Sequence, residues 1–202
     1  MLAYASGRLH LAKISTARTV ELVRQAKKKG LRVTCDITGY QALLDDSLLS
    51  DFDTNYKVNP PLREKVDNDA LIKGLKDGTI DILVSGHLPQ DDESKFLEFD
   101  LSDFGLTNLQ TFASQLASLS KSVDLEDLIV KVAENPRKLL GIEVPVIDVD
   151  VKANLTLFDP EKEWEFTPAE NKSKSKNSPW LGKVLKGKAV GVFNNAKQFL
   201  DV

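Results

Sequence analysis

The sequence predicts an α/β fold in which parallel strands alternate with helices, followed by a smaller β-rich unit. Two patterns predict the first part. A strand, a helix and a second strand follow one another over residues 8–37, and a short β-branched run at residues 80–84 has the character of a fully buried strand. A strand-helix-strand connection of this kind is right-handed and makes the strands parallel. After Gly141 the helical periodicity gives way to strand-like segments, which predicts the second unit.

The first strand-helix-strand unit is the clearest element of the chain. Residues 8–14 alternate polar and apolar side chains, as a half-buried strand does, and residues 31–37 form the second strand. The helix between them ends at Gly30, with the basic run of residues 27–29 in its last turn, where cations suit the helix dipole. We interpret this basic run as a solvated helix end rather than a phosphate site.

Helices dominate the rest of the first part. An amphipathic helix at residues 64–76 leads into the strand at residues 80–84, and a long polar loop follows at residues 90–103. Further helices are predicted at residues 106–119 and 125–133, and a short one has Pro136 in its first turn and ends at Gly141.

The second part is predicted to be built from strands. We expect strands at residues 144–147, 153–158 and 188–193, a turn at Asp159-Pro160, and a polar loop at residues 172–178. The predicted domains are therefore a partial (β/α) barrel at residues 1–141 and a β-rich C-terminal domain at residues 142–202.

The number of strand-helix units limits the architecture. Only about three are clear, whereas a closed barrel of this kind needs eight. Either the sheet is open, or the chain is a piece of a longer protein whose first half is absent. Residues 1–7 resemble the end of a helix more than a natural start, which favours the second alternative.

Composition excludes several classes of function. The 202 residues carry 27 Lys and Arg against 30 Asp and Glu, so the net charge of -3 does not indicate binding to nucleic acid or to an anionic membrane. No apolar stretch is long enough to span a bilayer, and the N-terminus lacks a signal-peptide pattern. The single cysteine, Cys35, excludes an internal disulfide and fits a reducing, cytoplasmic location. Its apolar neighbours predict an inert buried thiol.

Histidine is scarce, which limits every metal site that the chain could form. Only His10 and His87 are present, so a site built from imidazoles would need both or would rely on carboxylates. His87 follows the strand at residues 80–84, where alternating strand-helix barrels place their chemistry, but no carboxylate lies between Val84 and His87. We expect His10 to pack within its own strand.

Several segments, taken together, resemble one family. Residues 8–16 (RLHLAKIST), 57–63 (KVNPPLR), 74–81 (GLKDGTID), 154–159 (NLTLFD) and 173–179 (SKSKNSP) are similar, in this order, to segments of dihydroorotases of the multifunctional-complex type, in the amidohydrolase superfamily. The resemblance covers nearly the whole chain. It implies the second half of a (β/α)8 barrel followed by part of a small β-sandwich domain.

The resemblance also implies a chemistry, and the residues depart from it. Such enzymes hydrolyse and close a cyclic amide in pyrimidine biosynthesis, with zinc ions that generate hydroxide and polarise the carbonyl. Lys13 stands where the family has a ligand histidine, Tyr40 falls in the segment where it has paired histidines, and Gly86 replaces the catalytic aspartate. An ammonium has no lone pair to offer a metal. We therefore expect no zinc, no other cofactor and no catalytic residue in this chain.

A remnant of the substrate pocket is implied as well. Asn59, Phe104 and Gly105 match positions that contact dihydroorotate in the family, and Gln90 stands where the family has a histidine that contacts the substrate. Asn59 also has a purely structural interpretation, in which its side chain stabilises the Asn-Pro-Pro turn by hydrogen bonds instead of contacting a substrate.

Three hypotheses follow. The first is a non-catalytic dihydroorotase homologue with a role in assembly, whose partner is aspartate carbamoyltransferase or a dihydroorotase-type subunit. The second is an active dihydroorotase or related zinc cyclic amidohydrolase with an unusual site. The third is a small-molecule-binding module that reuses the pocket. Because a half barrel exposes strand edges, we expect an oligomer or a complex with an N-terminal half.

Overall fold

The computed structural model describes residues 2–201, with the side chain of Ala5 left aside, so Met1 of the predicted helix end lies outside the described residues. The strands are β1 (Leu9–Leu11), β2 (Val33–Thr38), β3 (Ile82–Val84), β4 (Asn154–Glu165), β5 (Val184–Asn194) and β6 (Lys197–Leu200). The helices are α1 (Leu2–Ala5), α2 (Ala17–Lys28), α3 (Gly39–Leu43), α4 (Lys65–Lys76), α5 (Asp92–Lys95), α6 (Phe112–Leu119), α7 (Leu125–Ile129) and α8 (Asn135–Leu140). Short 3-10 turns occupy Asp46–Leu49 and Thr54–Tyr56, and a π turn at Val130–Glu134 joins α7 to α8.

The first three strands form a parallel sheet in the order β1-β2-β3. Leu9 pairs with Val33, and Asp36 pairs with Ile82, so the carboxyl ends of all three strands lie along one edge of the sheet. The last three strands form a separate antiparallel sheet in the order β4-β5-β6. Within residues 2–201, the strands before Gly141 are therefore parallel and those after it antiparallel.

Helix α2 shows how local sequence sets these elements. The Thr16 side chain accepts a hydrogen bond from the Thr19 backbone N–H and so caps the helix, while Val20 and Val23 bury its apolar face. At the other end Lys28 and Lys29 are exposed, as predicted. Lys27 is different, because its ammonium lies 2.7 Å from the Asp81 carboxylate.

Two boundaries in the first part differ from the prediction for a physical reason. The expected helix at residues 106–119 begins only at Phe112, because the preceding backbone is used elsewhere: Thr107 N–H donates to the Asn177 carbonyl, and Asn108 N–H donates to His87. Residues 8–14 supply only three strand residues, since Lys13 adopts a left-handed φ of 52° that ends the strand.

Two predictions in the second part are wrong. Residues 144–147 form no strand, and the apolar side chains of Val146 and Ile147 are exposed instead of packed. Asp159-Pro160 is not a turn, because β4 runs through it with a shift of register against β5. A bulge of this kind lets a proline stay in a strand without losing the pairing on either side.

The antiparallel sheet packs against α6 at one glycine. Gly187 has a φ of +93°, and a Cβ there would overlap the side chain of Ala117 on α6. The Trp164 indole N–H points to the same place and lies 3.1 Å from both Ser114 Oγ and the Gly187 carbonyl. This contact joins the second sheet to the first part of the chain.

Two apolar clusters make up the core. One lies between the parallel sheet and its helices and includes Ile37, Leu71 and Leu83; the other joins Val58 and Leu106 to Trp164, Phe166 and Trp180 of the second part. Within residues 2–201, no helix combines the length and the apolar character needed to cross a membrane.

Candidate functional site

The carboxyl edge of the parallel sheet collects the residues singled out from the sequence. Lys13 follows β1, Tyr40 lies in α3 directly after β2, and Gly86 follows β3. His87 is the next residue. Since the three strands are adjacent and parallel, these positions share one edge, which is where strand-helix folds place their sites.

A hydrogen-bonded pair supports this edge from within the sheet. The imidazole of His10 lies 2.8 Å from Thr34 Oγ1 through Nδ1 and 2.8 Å from Asp36 Oδ2 through Nε2. The other Asp36 oxygen accepts the backbone N–H of Lys13 at 2.7 Å. Asp36 therefore fixes the backbone at the point where the resemblance places a metal-binding histidine.

Gly86 is enclosed by its neighbours. Its φ is +62°, and a Cβ built on it would lie 2.6 Å from Thr38 Cγ2 and 2.7 Å from Tyr40 Cε1, distances at which atoms overlap. Thr38 and Tyr40 are both buried, so neither has free space to move into. Burial also raises the pKa of the Tyr40 phenol, which keeps it neutral at physiological pH.

His87 is oriented by backbone rather than by a carboxylate. Its Nδ1 accepts the N–H of Asn108 at 3.0 Å and the N–H of Leu109 at 3.2 Å, so the proton of the neutral ring lies on Nε2. Burial lowers the pKa of the imidazole, because desolvation opposes the charged form. His87 is therefore a neutral hydrogen-bond donor through Nε2.

The four residues of the implied substrate pocket fall into two groups. Asn59 is exposed, and its side chain makes no hydrogen bond with any residue the structure describes, so the turn-tying alternative is wrong. Gln90, Phe104 and Gly105 belong together, because the Gln90 amide donates to the Phe104 carbonyl at 2.9 Å and Gly105 follows directly.

Sequence reasoning missed the residue that holds this second group in place. Asn177 is buried and lies in the loop predicted at residues 172–178; its side-chain N–H donates to the Gly105 carbonyl at 3.1 Å, and its Oδ1 accepts the Gln90 N–H at 3.2 Å. Asn177 Oδ1 also accepts the Thr107 hydroxyl. The polar character of the loop was readable from the sequence, but its partners some 70 residues away were not.

A buried lysine was missed as well. The Lys95 ammonium donates to the carbonyls of Asp103 and Gly105, at 2.9 and 3.1 Å, and closes the long loop after β3 upon itself. Burial and the nearby Lys57 charge lower its pKa to about 8. Lys57 in turn donates to the Asp100 carbonyl and lies 4.8 Å from the ring centre of Phe104.

These residues do not fit the zinc centre that the resemblance implies. Among residues 2–201, no group of three His, Cys, Asp or Glu side chains is arranged to hold a metal ion. Lys13, Tyr40 and Gly86 offer an ammonium, a neutral phenol and no side chain at all, none of which is a usual zinc ligand.

The chain is similar in sequence to proteins named dihydroorotase. No protein-family model matches the chain. The dihydroorotase of Geobacter sp. strain M21 is 38% identical over 189 residues, which is 93% of this chain and 44% of that protein. The dihydroorotase of Chlorobaculum tepidum is 39% identical over 202 residues, which is 96% of this chain and 46% of that protein.

Solved structures share the fold. The L-hydantoinase (dihydropyrimidinase) of Arthrobacter aurescens superposes with a TM-score of 0.87 at 25% identity, over 97% of this chain and 45% of its own. The inactive dihydroorotase-like domain of the CAD-like multifunctional protein of Chaetomium thermophilum superposes with a TM-score of 0.69 at 21% identity, over 97% of this chain and 52% of its own.

Both comparisons cover almost all of this chain and only about half of the other protein. The chain spans less than half the length of the two dihydroorotases that it matches. It has the α/β amidohydrolase-like fold of the hydantoinase structures, and dihydroorotase homologues cover it nearly from end to end.

Proposed function

We propose that this chain is a dihydroorotase-family protein of pyrimidine biosynthesis that does not itself catalyse the reaction and serves a structural role. The observation that carries the proposal is the packing around Gly86. Tyr40 and Thr38 occupy the space into which a side chain at position 86 would extend. A catalytic carboxylate at this position would require both buried side chains to move.

Charge supports the same conclusion. Lys13 follows β1, where the resemblance places a ligand histidine, and its ammonium makes no ion pair within the described part of the chain. An unpaired ammonium repels a dication: at an effective dielectric constant of about 20, a single and a double positive charge 4 Å apart repel each other by about 8 kcal/mol. A zinc ion would therefore lose a ligand and gain a repulsive neighbour at the same position.

The scaffold beneath the edge is well formed, which favours an assembly role over loss of all function. The His10–Asp36 pair still fixes the backbone of Lys13, and Asn177 still ties the loop around Gly105. Within residues 2–201, β1 and β3 each pair on one side only. Unpaired edges of a buried parallel sheet favour association.

We therefore propose that further strand-helix units complete the sheet. They could belong to the same polypeptide, to a dihydroorotase-type subunit or to a second copy of this chain. Aspartate carbamoyltransferase is the proposed partner of the complete assembly. Size-exclusion chromatography with light scattering tests this point: a stable monomer of about 22 kDa at micromolar concentration would contradict it.

Zinc content tests the loss of catalysis. We expect less than about 0.2 zinc per chain after purification without a metal-binding tag, because the three substituted positions leave too few ligands. A zinc-containing dihydroorotase purified and analysed in parallel is the control. One or more tightly held zinc ions per chain, together with hydrolysis of dihydroorotate, would refute the proposal.

The alternative is an active dihydroorotase or related zinc cyclic amidohydrolase. Identity of 38–39% to proteins named dihydroorotase favours it. In that case zinc would have to be held by residues outside the three substituted positions, and the same zinc and activity measurements would reveal it.

A further inference from the structure

A cavity of about 670 Å³ lies between the two parts of the chain, and His87 is one of its lining residues. Leu109 and Ala113 line it from the first part, and Trp164 and Lys188 line it from the second. Lys13, Tyr40 and Gly86 do not line it. The cavity therefore touches that edge only at His87 and lies beside the three positions at which the resemblance places metal-binding or catalytic side chains; its volume suits a small molecule.

Most polar side chains in its wall are already occupied. The Gln110 amide donates to the Glu170 carbonyl and accepts the Lys172 N–H, and the Asn171 amide likewise bonds to Ser175 and Ser173. These contacts build the wall and leave those side chains little capacity for a ligand.

One uncharged donor in the wall is free. Both backbone contacts to His87 use Nδ1, so the N–H at Nε2 has no partner among the residues that the structure describes. A half-buried N–H without a partner is a place where a ligand oxygen gains a hydrogen bond that the protein does not supply.

The charged groups of the cavity are ordered by depth. The Lys188 side chain is 19% exposed and lies 5.0 Å from the ring centre of Trp164, whereas its two acidic neighbours, Glu170 and Asp201, are 47% and 51% exposed. Lys188 Nζ lies 2.6 Å from Asp201 and 3.9 Å from Glu170. Lys188 is thus the inner charged group, and its two acidic partners lie at the rim together with the exposed Lys172.

We propose that this cavity binds a small carboxylate that carries a flat apolar ring. The carboxylate accepts hydrogen bonds from His87 Nε2–H and from the Lys188 ammonium, and it displaces the exposed Asp201 from Lys188. The ring lies against the apolar wall made by Leu109, Ala113 and Trp164. This inference does not depend on the proposed loss of catalysis.

Benzoate and benzamide are the probes, because they have the same shape and differ in charge. The chain contains two histidines and two tryptophans, so imidazole NMR signals and tryptophan fluorescence are easily assigned. We expect benzoate to shift the His87 signals in a saturable way, with a Kd of about 1 mM for a ligand of this size, and to leave His10 unchanged. Benzamide is expected to bind at least about tenfold more weakly, because it lacks the charge.

Lys188→Gln is the test variant and Lys186→Gln its matched control. Lys186 lies on the same strand, pairs with Glu161 at the surface and does not line the cavity. Loss of the charge-assisted bond is expected to weaken benzoate binding about tenfold in the first variant and to leave it unchanged in the second.

Three results would overturn the proposal: equal shifts of His10 and His87, equal binding of benzamide and benzoate, or equal effects of the two lysine variants. The first two use the unaltered chain, in whatever assembly it adopts, so they decide the matter even if Lys188→Gln fails to fold. Changes in Trp164 fluorescence, measured in a Trp180→Phe background, give an independent reading.

Discussion

The two ends of the parallel sheet differ at particular residues next to the strands: those around Asp81 at the amino end are hydrogen-bonded, whereas the Lys13 side chain at the carboxyl end is not. At the amino end of β3, Asp81 accepts the buried Cys35 N–H at 2.9 Å and pairs with Lys27, and its carbonyl accepts the Asn135 amide. The Lys131 ammonium donates to the neighbouring Ile80 carbonyl at 2.7 Å. At the carboxyl end, the Lys13 side chain makes no hydrogen bond with any residue from 2 to 201.

This difference matters because the two ends of such a sheet have different roles. In strand-helix barrels the amino end of the strands serves stability and the carboxyl end carries the site. Here the groups around Asp81 at the amino end are bonded, whereas the three positions at the carboxyl end where the resemblance places metal-binding or catalytic side chains hold Lys13, Tyr40 and Gly86. The chain therefore forms the parallel sheet of an amidohydrolase-like fold without these side chains.

The largest effect is expected when the Asp81 carboxylate at the amino end is removed. Asp81→Ala leaves the Cys35 N–H buried without an acceptor and the Lys27 ammonium unpaired. We expect the free energy of unfolding to fall by about 2–3 kcal/mol, the usual result when a buried donor loses its partner. Urea unfolding followed by circular dichroism measures the change.

Asp69→Ala is the matched control for that variant. Asp69 also pairs with a lysine, Lys65, but both side chains are well exposed, and such pairs contribute less than about 1 kcal/mol. Equal effects of the two variants would show that the amino end has no special role. Labelling of Cys35 offers a second reading: burial raises the pKa of its thiol to about 12, so the native chain should react slowly and Asp81→Ala faster.

The second test concerns the enclosed glycine at the carboxyl end. Gly86→Ala and Gly78→Ala both place a side chain on left-handed backbone, with φ of +62° and +74°, but a Cβ at Gly78 has nothing within 4 Å. We expect Gly86→Ala to cost about 2 kcal/mol more than Gly78→Ala, which isolates the overlap with Thr38 and Tyr40 from backbone strain. Equal costs in urea unfolding would contradict the proposed packing.

The same position tests catalysis. Gly86→Asp alone is expected to produce no hydrolysis of dihydroorotate, because one carboxylate cannot replace the other missing ligands. Activity above that of the parent chain would show that the remaining site is more complete than we propose.

The sequence predicted the parallel sheet well, because its signals are local. The end of α2 before the left-handed Gly30 and the left-handed Gly141 that ends α8 can both be read within a few residues. The strand predicted at residues 144–147 is absent. A β-branched run has a preference for extended backbone, but a strand forms only where a partner strand is available to pair with it.

The candidate site was predictable in part. The positions of Lys13, Gly86 and His87 at one edge follow from the strand order. The contact between Tyr40 and Gly86 does not, since it depends on how two side chains share space across neighbouring loops. The buried hydrogen bonds of Asn177 and Lys95 could not be predicted either, because nothing in the sequence shows that a polar residue in a polar loop is buried.

The smallest expected effect is the pH dependence from Lys95, which belongs to the carboxyl end because it closes the loop after β3. Its pKa is lowered to about 8 by burial and by Lys57, while Asp53 and Asp103 oppose the shift. Above pH 8 the folded state releases this proton before the unfolded state does, since the ordinary lysine pKa is about 10.4. Stability from this group therefore increases as the pH rises from 8 towards 10.

Comparison with Lys95→Met isolates the effect, because other titrating groups, including Lys131 and Cys35, contribute equally to both proteins. We compare the free energies of unfolding of the parent and the variant at each pH. Between pH 7 and pH 9.5 the difference is expected to change by about 1–2 kcal/mol in favour of the parent. Urea unfolding at four pH values across that range measures it. A constant difference between the two proteins would mean that the Lys95 ammonium is solvated in the native state, and that the loop around Gly105 is not closed by it.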